Sequence, residues 1–423
     1  MCSTSEDCSC STARNKVAIQ GHRKKQCAKC KGSNGPPVLV IRSDDPALCR
    51  SCFLNGCAHK FKSAFGKSHV VRNDCKVAVA ISGGLSSLTL LHLLKQVISV
   101  DRRHLLTAVI LRLQHSKRRF TPKLFYLIEP HSSSEECDAM AAAVQDSGFE
   151  YHLLNPIKVH LALGRLREAL HTSPSLSVLR NIPELDIWIR QLLFVECAKQ
   201  LGCDFLCLGD TGTRLATSFF VSVIEGRGDQ VCGGTSFSDE RYQDVTIIRP
   251  LYEFQTKELV FYARFCRLEP LISYNVVTDA VLERPGITSL PRLCEDFLLQ
   301  LQFGGFPSTT QTVLSTCSKI ASPESSASVR CCLCWGTYVP HIRTENPHKL
   351  ALASMEYSRA ASNFKSDQTL PYSNEAKFEE DGQFNINLDG QLCPSCSMLY
   401  AELPNELKQL FDATFSSDPE GNT

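Results

Sequence analysis

Lys76-Val77-Ala78-Val79-Ala80-Ile81-Ser82-Gly83-Gly84-Leu85-Ser86-Ser87 is the stretch whose reading decides the fold. Its first six residues, rich in Val, Ala and Ile, read as a buried parallel strand over 76–81. Gly83-Gly84 then makes a tight turn. Ser86 and Ser87 offer hydroxyls to cap a helix over 86–97 whose apolar face recurs at Leu88, Leu91 and Leu94. A glycine turn that feeds a helix N-terminus gathers unpaired backbone N–H groups and the positive end of a helix dipole at one point, which suits a phosphate. The same small residues also serve close packing of backbone on backbone, and local physics does not separate the two readings.

Outward from this stretch, strand-like and helix-like segments alternate. Strands are predicted at 106–111, 124–128, 150–154, 204–208 and 245–248, and helices at 134–147, 184–201, 212–224 and 256–267. That alternation predicts an α/β domain over 76–303 with a parallel sheet and helices on both faces. The helix from Glu184 carries Trp188, Leu192 and Val195 at helical spacing, as core. Asp204-Phe205-Leu206-Cys207-Leu208-Gly209-Asp210-Thr211-Gly212-Thr213 is a second strand that ends in glycines, an acid and hydroxyls. Ligands of open parallel sheets sit outside the carboxyl ends of strands, so Gly209 and Asp210 are expected to face the first turn. There Asp210 is either a metal-side carboxylate or a turn and cap residue.

The chain of 423 residues is 43% hydrophobic and 21% charged, enough for one sizeable core and a second module. No apolar run approaches the ~20 residues that span a bilayer, and no signal-peptide pattern opens the sequence. An intracellular protein without a membrane is expected. Its 22 cysteines then argue for metal ligation over disulfides, since eight fall into four Cys-x-x-Cys pairs. Cys27, Cys30, Cys49 and Cys52 have the spacing of a tetrahedral zinc site that is structural, because four thiolates leave no open position. Residues 21–75 are assigned to this zinc module and residues 1–20 to a mobile tail. Cys331, Cys334, Cys393 and Cys396 are expected to share a second structural zinc within a module over 331–400 that carries a long polar insertion. It follows a Ser/Thr-rich linker at 304–330 and precedes a short helix and tail at 401–423. Cys197, Cys203 and Cys207 read as small buried hydrophobes.

The formal net charge of +1 conceals an asymmetry: 13 Lys and Arg against two acids between Cys8 and Asn73, and 13 acids against five bases from Thr344 onward. Arg23, Lys24, Lys25, Lys29 and Lys31 crowd the first cysteine knuckle. They are candidate contacts to a nucleic-acid backbone, although a charge run also serves as a solvated face.

Taken together, the loop, the second turn, Arg249-Pro250-Leu251, the segment Phe306-Pro307-Ser308-Thr309-Thr310-Gln311-Thr312-Val313 and the cysteine pairs resemble the cytoplasmic tRNA 2-thiolation protein 2 family. That family is a degenerate relative of the PP-loop ATP pyrophosphatases and thiouridine synthases, with an adenine nucleotide α-hydrolase-like sheet. The resemblance implies Ser82, Gly83, Gly84, Ser86, Ser87, Gly209 and Asp210 as a nucleotide site that is vestigial, with ATP as the cofactor it would hold. It implies tRNA as a partner, cytoplasmic location, and 2-thiolation of the wobble uridine (5-methoxycarbonylmethyl-2-thiouridine) in tRNAs for lysine, glutamine and glutamate. It also implies a heterodimer with a catalytic PP-loop thiolase paralogue, through which a ubiquitin-related modifier delivers sulfur. Two departures imply a non-catalytic or conditionally active subunit with no catalytic residue of its own. Ser86 stands where the active loop carries Asp, and Ser175-Leu176-Ser177-Val178-Leu179-Arg180-Asn181 stands where active thiolases carry Cys-x-x-Cys. Neither a persulfide nor an iron–sulfur cluster can be held without thiolates. Two other readings stay open: a self-sufficient ATP pyrophosphatase in which Asp210 replaces the missing acid, and a zinc-ribbon tRNA-binding module without enzymatic context.

Overall fold

The computed structural model describes residues 26–41, 45–68, 70–71, 75–107, 120–129, 132–145, 147–172, 182–228, 230–269, 271, 290–320, 329–338 and 391–415. The chain divides into two units, Met1–Cys57 and Ala58–Thr423. In the first, the run from Val38 contributes a single antiparallel bridge, Leu39 to Leu48, closed by N–H···O bonds of 3.2 and 2.9 Å. That bridge joins the two cysteine knuckles. Helix α1 (Arg50–Ser68) starts in this unit, directly after Cys49, and buries Cys52, Phe53 and Cys57 there.

The second unit is built on a six-stranded sheet of β1 (Cys75–Ala80), β2 (Phe120–Leu127), β3 (Glu150–Leu154), β4 (Phe205–Cys207), β5 (Ser238–Asp239) and β6 (Thr246–Ile248). Their order is β3-β2-β1-β4-β6-β5, all parallel except β5. The opening stretch thus lies in the middle of the sheet. Small and β-branched residues suit that place, because Val77, Ala78 and Val79 are covered on both faces.

The helices are α2 (Leu85–Thr107), α3 (Ser134–Gln145), α4 (Pro156–Val159), α5 (Leu161–Thr172), α6 (Ile182–Gln200), α7 (Gly212–Ile224), α8 (Val231–Thr235), α9 (Thr256–Cys266), α10 (Leu290–Phe303), α11 (Thr309–Cys317), α12 (Pro394–Ala401) and α13 (Asn405–Phe415). Helix α2 runs ten residues past its expected end, so Leu106 and Thr107, assigned to a strand, are helical. No Gly or Pro interrupts residues 85–107, and nothing local stops the helix. Residues 108–111 of that expected strand lie outside the described residues.

Part of the stretch expected as a linker, 304–330, is helix α11, with Thr310 and Cys317 buried. Its hydroxyls bond back into the helix, Thr312 to the Ser308 carbonyl at 3.2 Å and Thr316 to the Thr312 carbonyl at 2.9 Å. A Ser/Thr-rich composition therefore did not mean irregular chain. The C-terminal cysteines are likewise part of the main core. Cys331, Cys334, Cys393 and Cys396 belong to one buried cluster with Leu185, Ile189 and Leu193 of α6, Leu206 of β4, Ile247 of β6 and Phe411 of α13. Cys197, Cys203 and Cys207 are buried as expected, and burial pushes all three thiols up, Cys197 to about 12.

Candidate functional site

Two elements of the fold carry chemistry: a crevice at the carboxyl ends of β2, β1 and β4, and two groups of four cysteines. The crevice is floored by the turn after β1. Gly83 has φ +73°, a left-handed conformation that glycine adopts without strain, and its carbonyl accepts the Leu271 N–H at 3.0 Å. The helix begins at Leu85, with the Leu88 N–H donating to the Gly84 carbonyl at 3.1 Å. Ser86 and Ser87 therefore sit inside the first turn and do not cap it. The buried Ser87 hydroxyl donates to the Gly84 carbonyl at 2.9 Å, while the exposed Ser82 hydroxyl donates to Ser87 Oγ at 3.3 Å. The first N–H groups of a helix have no intrahelical partner, so the turn retains donors.

The second turn does come to the first. A Cβ on Gly209 would stand 3.4 Å from the backbone of Ser86 and Ser87, so the turn after β4 lies against the start of α2. Thr211 caps α7, its hydroxyl accepting the Arg214 N–H at 3.2 Å. Asp210 is held by arginine: Oδ2 lies 3.7 Å from Arg249 Nε and Oδ1 lies 3.8 Å from Arg214 Nε. Arg249 is buried. It donates to Asp239 Oδ2 at 3.1 Å and to the Ser236 carbonyl at 3.2 Å. Asp239, at the sheet edge, is fully buried and takes a two-pronged pair from Arg241, both contacts at 2.8 Å. Burial pushes its carboxyl up, but Arg241 and Arg249 more than offset this and hold it at about 2.

On the other side of the loop, beyond β2, lies a network that the sequence reading missed. Arg167 of α5 is 1% exposed and pairs with Asp186 of α6 at 2.8 Å and with Glu129, two residues after β2. His171 shares Asp186 Oδ1 at 3.1 Å, and Arg190 lies 3.8 Å from Glu129. Burial opposes the Asp186 charge, yet His171 and Arg167 keep the carboxyl well below its usual range. Burial pushes the Arg190 guanidinium down, Glu129 counters this in part, and Arg214 adds to the lowering. A signal existed: Arg167 lies on the same helical face as Leu163, Leu166 and Leu170, where a charge must find a partner.

The cysteine groups are each close-set. The four Sγ atoms of Cys27, Cys30, Cys49 and Cys52 lie within 4.8 Å of one another, and so do those of Cys331, Cys334, Cys393 and Cys396. The Cys30–Cys49 and Cys334–Cys393 sulfurs are each 3.7 Å apart. One ion at ~2.3 Å from four thiolates requires a tetrahedral edge of ~3.8 Å, and a disulfide requires ~2.05 Å. Both groups thus fit a single tetrahedral ion. A cubane cluster would place an iron beneath each sulfur and spread them further. Backbone N–H groups of Cys30 and Cys49 lower the Cys27 thiol to about 6, while the Cys49 sulfur and burial push Cys52 up to about 12. Near the second group, Arg227 Nη2 stands 4.0 Å from Cys396 Sγ while its Nη1 pairs with Glu184 and Glu225, so a buried guanidinium already neutralised by carboxylates adjoins the cysteines.

Lys29 and Lys31 are exposed beside the first group, whereas Arg23, Lys24 and Lys25 lie outside the described residues. So do residues 173–181, which include the segment from Ser175 to Asn181. Among the described residues no helix is long and apolar enough to cross a membrane.

Comparison with known proteins adds the following. Residues 55–270 match the PP-loop domain family, and residues 289–398 match the family described as cytoplasmic tRNA 2-thiolation protein 2. Curated proteins of that name are similar along most of the chain. The one from Bos taurus is 29% identical over 75% of this chain and 73% of its own length. The one from Anopheles gambiae is 25% identical over 89% and 92%. Among solved structures, the U34-tRNA thiolase NcsA from Methanococcus maripaludis, determined with its [4Fe-4S] cluster, aligns with a TM-score of 0.53 at 18% identity, covering 72% of this chain and 91% of that one. At that identity the likeness concerns the fold.

Proposed function

Because the chain belongs to the PP-loop family and, within it, to the cytoplasmic tRNA 2-thiolation protein 2 family, we propose that it is a subunit of a cytoplasmic tRNA thiolase that does not itself carry the sulfur chemistry. Its substrate complex is tRNA, and the modification is the 2-thio group of the wobble uridine, as 5-methoxycarbonylmethyl-2-thiouridine in tRNAs for lysine, glutamine and glutamate. A catalytic PP-loop paralogue forms the heterodimer with it, activates the uridine and receives sulfur from a thiocarboxylated ubiquitin-related modifier.

One observation carries the non-catalytic assignment. Each carboxylate described at the crevice is engaged by arginine: Glu129 by Arg167 and Arg190, Asp186 by Arg167, and Asp210 by Arg249 and Arg214. Ser86 stands where the active loop carries an acid. Magnesium bound with phosphates is usually held through one or two carboxylates, and among the described residues of the crevice each carboxylate lies in an ion pair with arginine. The loop Ser82, Gly83, Gly84, Ser86, Ser87 with Gly209 keeps the shape of a nucleotide site, and ATP is the group that would fit it. The two cysteine groups hold structural zinc. Lys29 and Lys31, together with Arg23, Lys24 and Lys25, give the tRNA a backbone contact.

The test is reconstitution. Purified chain given ATP, unmodified lysine tRNA and a thiocarboxylate donor should release no pyrophosphate and form no 2-thiouridine alone, and should form it once the paralogue is added. Thiolation by the chain alone would favour the self-sufficient pyrophosphatase instead.

A further inference from the structure

We propose that Phe303 and Phe306 are a platform on which unpaired bases of the tRNA stack, on the side of the sheet that holds the crevice. This rests on tRNA being the substrate, and adds which part of the RNA is held and by which side chains. At 79% and 64% exposed, the two rings are the most exposed large apolar side chains among the described residues. They flank Gly304 and Gly305 in the turn between α10 and α11, within the 289–398 match to the tRNA 2-thiolation family. Phe306 also opens the segment from Phe306 to Val313, to which neither the crevice nor the cysteine groups give a role.

The turn has a fixed backbone. The Gly304 N–H donates to the Gln300 carbonyl at 2.8 Å, and the Phe306 N–H donates to the Leu301 carbonyl at 3.0 Å across Gly305, whose φ is +106°. That second bond closes a helix on a left-handed glycine, and the residue after the glycine frequently packs back on the helix. Phe306 stays out instead. The Thr309 N–H donates to the Phe306 carbonyl at 3.2 Å, and the Gln302 amide donates to the buried Thr310 hydroxyl. The rings are thus presented by a preorganised loop, which lowers the entropy cost of binding.

Its place is set by two contacts. Gln255, which precedes α9 beyond the carboxyl end of β6, donates from Nε2 to the Pro307 carbonyl at 3.5 Å. Further along α11, Leu314 Cδ1 lies 3.4 Å from where a Cβ on Gly212 would stand, at the start of α7 beyond the carboxyl end of β4. Strands β1, β4 and β6 are parallel, so the turn stands at the same end of the sheet as the 82–87 loop.

Chemistry selects the occupant. Residues 297–320 contain no Asp or Glu, and Ser308, Gln311 and Thr312 are exposed beside the rings. A surface of hydroxyls and amides without acids does not repel a polyanion. A face for an apolar protein partner would be continuous, whereas exposed Gln300 stands between these rings and the exposed Leu293 and Phe297 of α10. Beside Gly305 the space is open, a Cβ there meeting nothing within 4 Å, so a flat ring system can approach over the glycines. Every base has a π face, and aromatic side chains stack on unpaired bases with little regard to sequence. Bases within a duplex are already stacked and closed to them.

The experiment titrates the full chain with a labelled lysine tRNA anticodon stem-loop and with a blunt RNA duplex of equal length. Phe303→Ala and Phe306→Ala should each weaken stem-loop binding by roughly 5- to 150-fold, the range for one lost base stack. The slope of log affinity against log salt should stay the same, since no charge is removed. Duplex binding should not change. Phe303→Trp and Phe306→Trp should retain stem-loop affinity, whereas Phe303→Leu and Phe306→Leu, apolar but without a π face, should lose it. Both positions are exposed, so every variant should melt with the native chain. Unchanged stem-loop affinity in both alanine variants, equal losses on the duplex, or no stem-loop binding by the native chain would overturn the proposal. Full affinity in the leucine variants would also overturn it and point to an apolar protein partner. Thiolation lost in cells without the gene, with both alanine variants binding like the native chain, overturns this inference alone. Thiolation intact in those cells, with the alanine variants weakened, overturns the thiolase reading alone.

Discussion

Replacing Cys393 by Ser removes one of four ligands from a site that lies within the main core, and the consequences can be sized. Residues 329–338 and 391–403 reach each other across more than 50 residues of sequence, and the cysteine group is where they converge. Five apolar side chains of these segments, Leu333, Tyr338, Leu392, Tyr400 and Leu403, are each less than 10% exposed. At ~1.5–3 kcal/mol apiece, their burial contributes about 8–15 kcal/mol before the entropy of ordering is set against it. A structural zinc contributes ~10–16 kcal/mol of apparent binding free energy, as large as the whole net stability of a typical domain. Losing even a third of this, about 4 kcal/mol, lowers the midpoint by roughly 8–16 °C. Calorimetry combined with metal analysis checks it. Native protein should carry two zinc ions per chain, and Cys393→Ser should carry one and melt at least ~8 °C lower. Cys27→Ser should also carry one, but should leave the main transition within about 2 °C, because its cysteines belong to the other unit. A Cys393→Ser protein that keeps two ions, or that loses one and melts unchanged, would refute the reasoning.

Three further outcomes are expected. Asp239→Asn strands Arg241 and Arg249 and should cost about 3–5 kcal/mol in urea unfolding at pH 7. The native carboxyl is depressed to about 2, so its contribution is complete above the unfolded value of 3.8 and is lost as pH falls through about 2; the gap between native and variant should narrow over that window. Gly84→Asp should fold normally, since a Cβ there meets nothing closer than Ser82 Oγ at 3.7 Å, yet its charge beside the loop should weaken ATP binding by the full chain by about tenfold or more; unchanged affinity would make the loop structural. Reversal of Lys29 and Lys31 to Glu should weaken tRNA binding and lower the slope of log affinity against log salt by about one unit per lost phosphate contact; an unchanged slope would remove these lysines from the interface.

The centre of the fold was legible because its signals were local. A Val/Ala/Ile strand, two glycines and an apolar helix stripe specified β1, its turn and α2, and the cysteine spacings picked out the two sets of four that the fold brings together. What escaped depends on partners distant in sequence. Arg167, Asp186 and Glu129 come from three elements and are made into one network only by packing, although the placement of Arg167 on an apolar helix face was a warning. Asp210 showed as a carboxylate at a strand end, but its capture by Arg249, 39 residues later, did not. The C-terminal knuckles read as a separate module because a long polar stretch divides them, whereas their leucines and tyrosines complete the core of the sheet domain. Helix α11 was hidden by a composition that usually marks loops, since threonine hydroxyls that bond to their own helix leave no trace in a count of residues.

The claim that this chain is the partner subunit of a tRNA thiolase is tested most directly in cells lacking the gene. The fraction of 2-thiolated wobble uridine in lysine tRNA would be read by gel retardation with an immobilised mercury reagent, with and without the native chain restored. The account predicts that the retarded band disappears without the gene and returns with the native chain. A band that persists in its absence would contradict it.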